Sequence, residues 1–134
     1  MAWNDRWRTG HSVFDLDHKQ LATLIELLDD SLSMLPGSAY PASMAQRLVI
    51  EAREHFRLEE AYLLQHPSPE ADEHIVMHNA FAATLDALAA AVVRADVPAA
   101  HGLIAEAHRM FVEDLLPADA AMVAYFKEWN ATAR

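Results

Sequence analysis

His55 and Glu59 stand four residues apart in the stretch EHFRLEEAYLLQH, and His74 and His78 stand four apart in EADEHIVMHNAF. On a helix that spacing is about one turn, so each pair projects from one face. Both stretches are otherwise rich in apolar residues, and burying an unpaired carboxylate among them costs several kcal/mol. A dication held between the pairs removes that cost. Imidazole with carboxylate is a donor set for iron, and also for manganese or zinc. Neutral imidazole and ionised carboxylate are the ligating states, so affinity falls in acid.

Such pairs meet only if long helices carry them to one place. Gly and Pro cluster in LPGSAYP, HPSPE and ADVP, and Pro117 stands near the end. Between these breaks helix formers dominate. The pattern predicts an all-α chain, one domain over 1–134, with an N-terminal arm over 1–16. Bundle helices are expected over 17–34, 41–65, 69–94 and 98–116, with a kinked extension over 117–130. Leu21, Leu24, Ile25, Leu28 and Leu32 form the apolar stripe of the first helix, and Leu48, Ala52, Phe56 and Leu63 that of the second. Phe81, Leu85, Leu88 and Val92 mark the third. Pro41 suits the first turn of the second helix. Ser68 is the expected N-cap of the third, with Pro69 its first residue, and Asp96 the expected cap of the fourth. Short connections between long helices imply an up-down-up-down four-helix bundle.

In that topology the starts of odd helices and the ends of even helices share one end. His18, His55, Glu59, His74, His78, Asp114 and Asp119 therefore converge at similar depth. Glu59 and Asp119 are placed to bridge a pair of metals, with the imidazoles terminal. A lone helical histidine, or one His-x-x-x-Glu pair, more often makes an ordinary hydrogen bond or surface pair; the convergence carries the metal reading. His66, His101 and His108 show no convergence and are read as surface or loop residues. His11 is the exception to watch, since the arm can fold over the site. Met34, Met44, Met77, Met110 and Met122 are read as core filling.

Composition narrows the function. Twenty acids against ten bases give a formal charge of −10, the wrong sign for a nucleic-acid backbone or an anionic membrane surface. The chain has no cysteine, which removes disulfides, thiolate metal sites and thioether-linked haem. MAWNDRWRTG contains no apolar run of the kind a secretory leader needs, and AFAATLDALAAAVV is read as too short to span a bilayer. A cytoplasmic protein is expected. Ferritin-like iron storage is disfavoured, because Ala71 and Ala52 stand three residues before His74 and His55 where Glu-x-x-His pairs need glutamate.

The order DLDH (His18), HFRLEE (His55, Glu59), HIVMH (His74, His78) and a late Asp119, after a Trp-containing arm, resembles the bacterial hemerythrin family over essentially the whole chain. The resemblance implies two Fe ions in a non-haem centre bridged by Glu59, Asp119 and an oxo or hydroxo group. It implies that His18 and His55 serve the iron that binds dioxygen, His74 and His78 the other iron, and that Leu21 and Leu116 wall the dioxygen pocket. Dioxygen, or another small diatomic or peroxide ligand, is the implied partner, with a reductant of unknown identity.

One departure stands out. The family pattern ends in His-x-x-x-x-Asp, whereas this chain reads EDLLPAD, with Asp114 in place of the histidine. Residues five apart are turned about 140° from each other on an ideal helix, so both face the metals only if the helix breaks between them. Pro117 is the expected break. Sliding the pair to His108 and Glu113 lacks that break and moves it roughly 9 Å along the bundle. Asp114 has three readings: a direct ligand, a short side chain that leaves a coordination position open, or an outer hydrogen-bonding group. The functional readings are a dioxygen carrier, store or sensor; a di-iron oxidase, peroxidase or nitric-oxide-handling enzyme; a partner-binding module; and a metal-free bundle.

Overall fold

The computed structural model describes residues 3–35, 37–66 and 68–132, with side chains to residue 128. The helices are α1 (Ser12–Met34), α2 (Ala39–Gln65), α3 (Ala71–Val93) and α4 (Val97–Arg109). A π-helical segment, Met110–Leu115, then leads into α5 (Leu116–Thr132). Among the described residues there is no strand. Consecutive helices pack on each other and α1 closes the ring against α4, so the chain forms the expected all-α four-helix bundle.

Several boundaries differ from the sequence expectation. The first helix starts at Ser12, not at 17, because His11 Nδ1 caps it by accepting the Phe14 N–H at 3.3 Å. The Asp15 carboxylate ties the arm to that turn, accepting from Thr9 N–H and Thr9 Oγ1–H at 2.8 Å each. The third helix starts at Ala71; Glu70 is its N-cap residue, and Ser68 instead closes a turn in which Ala71 N–H donates to its carbonyl. Ser38 caps α2 with Pro41 in its first turn, and Asp96 caps α4 by accepting from Ala99 N–H. Met34 is 79% exposed and fills no core, whereas Met110 and Met122 are buried. By length and composition α3 is sufficient to cross a membrane, contrary to the expectation; in the bundle it carries Phe81, Leu85 and Leu88 into the core.

Pro117 does not break the last helix. Proline removes an N–H and clashes with the carbonyl four residues back. The π segment just before it widens the turn, leaving room for the ring. Leu116 stays helical at φ −62°, ψ −44°, and the chain continues into α5.

The core has two apolar parts. The larger joins Leu21–Leu32, Leu48–Phe56, Phe81–Val92 and Ala100–Leu116 positions. The smaller joins Phe14, Leu63, Met122, Val123 and Phe126. The buried histidines and carboxylates lie between them on several helices: His18 between Phe14 and Leu21, His55 and Glu59 between Ala52 and Leu63, Asp119 between Leu116 and Met122. The polar layer is thus walled on both sides by hydrocarbon.

Candidate metal centre

His18, His55, Glu59, His74, His78 and Asp119 are each at most 3% exposed. Their donor atoms form two groups, His18–His55–Glu59–Asp119 and Glu59–His74–His78–Asp119, each with all its ligand atoms within 4.8 Å of one another. Glu59 and Asp119 belong to both.

The carboxylates divide their oxygens between the groups. Asp119 Oδ2 lies 2.7 Å from His18 Nε2 and 3.8 Å from His55 Nε2, while its Oδ1 lies 2.6 Å from His74 Nε2. Glu59 Oε1 faces His55 Nε2 and, at 3.4 Å, His18 Nε2. Its Oε2 lies 3.0 Å from His78 Nε2 and 3.3 Å from His74 Nε2. Each carboxylate therefore offers one oxygen to each imidazole pair, the arrangement needed to bridge two cations.

Aromatic rings hold the imidazoles in place. Phe56 stacks on His78 at 4.1 Å between centroids, and Phe14 meets His55 edge-on at 5.8 Å. Phe111 meets His18 edge-on at 6.1 Å.

Two further carboxylates complete the centre, and the sequence reading did not single them out. His55 Nδ1–H donates to Asp17 Oδ2 at 2.8 Å, and His78 Nδ1–H donates to Glu60 Oε2 at 3.2 Å. A hydrogen on Nδ1 leaves Nε2 as a lone pair aimed at the cluster, the tautomer that ligates metal. Both acids adjoin a predicted ligand in sequence (Asp17 before His18, Glu60 after Glu59), but each serves the histidine of the next helix. One histidine in each group is backed in this way. Glu59, Asp119, Asp17 and Glu60 together carry four negative charges, which would balance two dications. Asp17→Asn and Glu60→Gln are each expected to weaken metal binding by about 10–100-fold while the fold stays intact. Competitive chelator titration with circular dichroism checks this.

The electrostatics of the protein atoms alone show the strain that a cation relieves. Burial pushes the imidazolium of His55 down, but Asp119 and Glu59 outweigh it and hold His55 up at about 10. The same opposition holds His74 at about 9 and raises His18. Burial would raise Glu59; hydrogen bonding with Asp119 and the surrounding imidazoles holds it well below the carboxylate range instead. The site thus binds protons where it lacks a cation. His18 Nε2 and His55 Nε2 lie 3.0 Å apart, a spacing that two N–H groups cannot share. Four converging Nε2 atoms and two split carboxylates fit a pair of metal ions.

The chain matches no protein-family model, no curated protein and no solved structure.

Asp114 does not join the cluster. Its side chain is 42% exposed and lies 3.7 Å from Arg109 Nη1. The π segment leaves Asp119 inward and Asp114 on the rim of a cleft of about 670 Å³ that His74 also lines. Leu21 and Leu116 are both 2% exposed. Leu21 lines a smaller cleft with Asp17 and His55, and Leu116 lies in the larger apolar core. His11 stacks on Phe14 at 3.8 Å, outside both donor groups.

Proposed function

We propose that this protein is a non-haem di-iron protein of the bacterial hemerythrin type that binds dioxygen as a carrier, store or sensor. The observation that carries the reading is the split of the Glu59 and Asp119 oxygens between two imidazole pairs. Oxygen and imidazole donors without thiolate suit iron, and four protein donors per ion are fewer than an octahedral ion accepts. A reduced iron pair, when held there, would supply the two electrons that dioxygen takes. The chain's own residues do the rest. Glu59 and Asp119 would hold the ions, each presenting one oxygen to each imidazole pair. Asp17 and Glu60 fix the His55 and His78 rings. Leu21 and Leu116 keep water from the buried layer, which slows loss of a bound ligand.

An enzymatic reading has one observation in its favour. The cleft beside His74 gives outside molecules access to the second donor group, and Asp114 stands on its rim instead of a fifth imidazole. That access suits turnover of peroxide or nitric oxide. Exposing the reduced, iron-loaded protein to dioxygen separates the two. A stable coloured form that bleaches when dioxygen is removed supports reversible binding. Immediate oxidation, with sustained consumption of peroxide or nitric oxide, supports the enzyme.

A further inference from the structure

Three clefts in the described structure reach a histidine of the buried cluster. The cleft beside His78, about 430 Å³, is lined by Arg53 and Arg57 with Glu60 as its one acid, so it has no excess of negative charge to draw a metal ion. The cleft beside His55, about 370 Å³, is also lined by acids, Asp17, Glu51 and Glu54, but Asp17 holds the outer nitrogen of the His55 ring at 2.8 Å. The third is the largest, about 670 Å³, and lies between α3 and the π segment with α5. Glu70, Glu73, Glu113, Asp114 and Glu128 line it, and no lysine or arginine does. Arg109, outside that lining, reaches Glu113 at 3.5 Å and Asp114 at 3.7 Å, so anionic charge still predominates.

The inner end of this cleft is His74, which is 3% exposed. Its Nε2 faces Glu59 and Asp119, and no carboxylate contact to its Nδ1 corresponds to those of His55 and His78 among the described residues. His55 and His78 are anchored through Nδ1. His74 is therefore the donor of the second group that lines the largest of these openings.

We propose that the α3–α5 cleft is the loading route for the metal centre: its carboxylates gather hydrated dications, and His74 passes them to Glu59 and Asp119. This rests on the metal-centre reading above. A surface of one sign leading into a low-dielectric recess raises capture rates by about 10–1,000-fold, and the gain falls with ionic strength. The acids lie outside the final donor groups, so they govern the rate of filling and not the final occupancy.

The test is stopped-flow uptake of Co²⁺ by the metal-free protein, followed by absorbance, at low and high salt. The triple variant Glu70→Gln, Glu73→Gln, Asp114→Asn is expected to load at least tenfold more slowly at low salt. Its rate should depend less on salt, and its final Co²⁺ content should equal the parent's. The control, Glu51→Gln with Glu54→Gln in the cleft beside His55, is expected to load at the parent rate. A triple variant that loads as fast as the parent, or a control slowed as much as the triple variant, overturns the route. A parent protein that takes up no Co²⁺, with Fe²⁺ also refused, defeats the metal-centre reading itself and the route with it.

Discussion

Glu59→Gln is expected to empty both metal positions, whereas His78→Ala is expected to empty one. The difference follows from sharing. Glu59 supplies Oε1 to the His18/His55 group and Oε2 to the His74/His78 group, so its loss weakens a ligand to each ion and removes the one negative charge that both share. His78 touches only the second group. Asp119→Asn should behave as Glu59→Gln does, because its oxygens divide in the same way. The loss should exceed the roughly 10–100-fold expected for an outer partner such as Asp17. The metal-free protein should suffer too. With Glu59 neutral, the raised imidazoles lose one of their two shared counter-ions, and breaking a buried ion pair costs about 3–5 kcal/mol. Metal content by plasma mass spectrometry and urea unfolding of metal-free protein measure the two effects. Retention of one full equivalent in Glu59→Gln would show that Glu59 does not bridge.

The second large effect is an opposite pH dependence of the metal-free and loaded proteins. His55 and His74 stand at about 10 and about 9 in the folded metal-free site, against an ordinary 6.5. Their stabilisation is therefore complete below about 6.5 and is lost as pH rises through 9 to 10. Glu59 is shifted the other way from 4.5, so its contribution is present above 4.5 and disappears as pH falls through its depressed value. The metal-free protein should be most stable between these limits. Above them it should lose about 1.4 kcal/mol per pH unit for each proton the folded state holds in excess. Metal binding demands the deprotonated imidazoles. Loading near neutral pH should then release protons, and the rise in melting temperature on loading should widen from pH 6 to pH 9. Thermal unfolding of both forms across that range, with an indicator dye to count released protons, provides the measurement. A rise that narrows with pH would contradict the arrangement.

Much of this was legible from residue types and spacing. The apolar stripes of three helices place every named residue in the core, because burial repeats with the helical period. Convergence of His18, His55, Glu59, His74, His78 and Asp119 follows from topology, since alternate helix ends share one end of a bundle. Less legible was what depends on local geometry. The early start of α1 rests on a histidine cap and on the Asp15 carboxylate reaching back to Thr9, neither of which leaves a periodic signal. The turn over Met110–Leu115 has no sequence mark beyond Pro117, whose usual consequence is a break; here the preceding turn widens instead. That difference decides the fate of Asp114, because Asp114 and Asp119 face the cluster together only across a break. Asp17 and Glu60 escaped notice for another reason. Each looks like an ordinary surface acid on its own helix, and only the neighbouring helix reveals the imidazole it holds.

The central claim is a pair of ions bridged by two carboxylates, and anomalous diffraction at the iron edge from crystals of iron-loaded protein tests it most directly. The expected map has two peaks of similar height about 3.5–4 Å apart, one beside His18 and His55 and one beside His74 and His78, with Glu59 and Asp119 between them. A single peak, or iron located only outside this buried layer, would contradict the account.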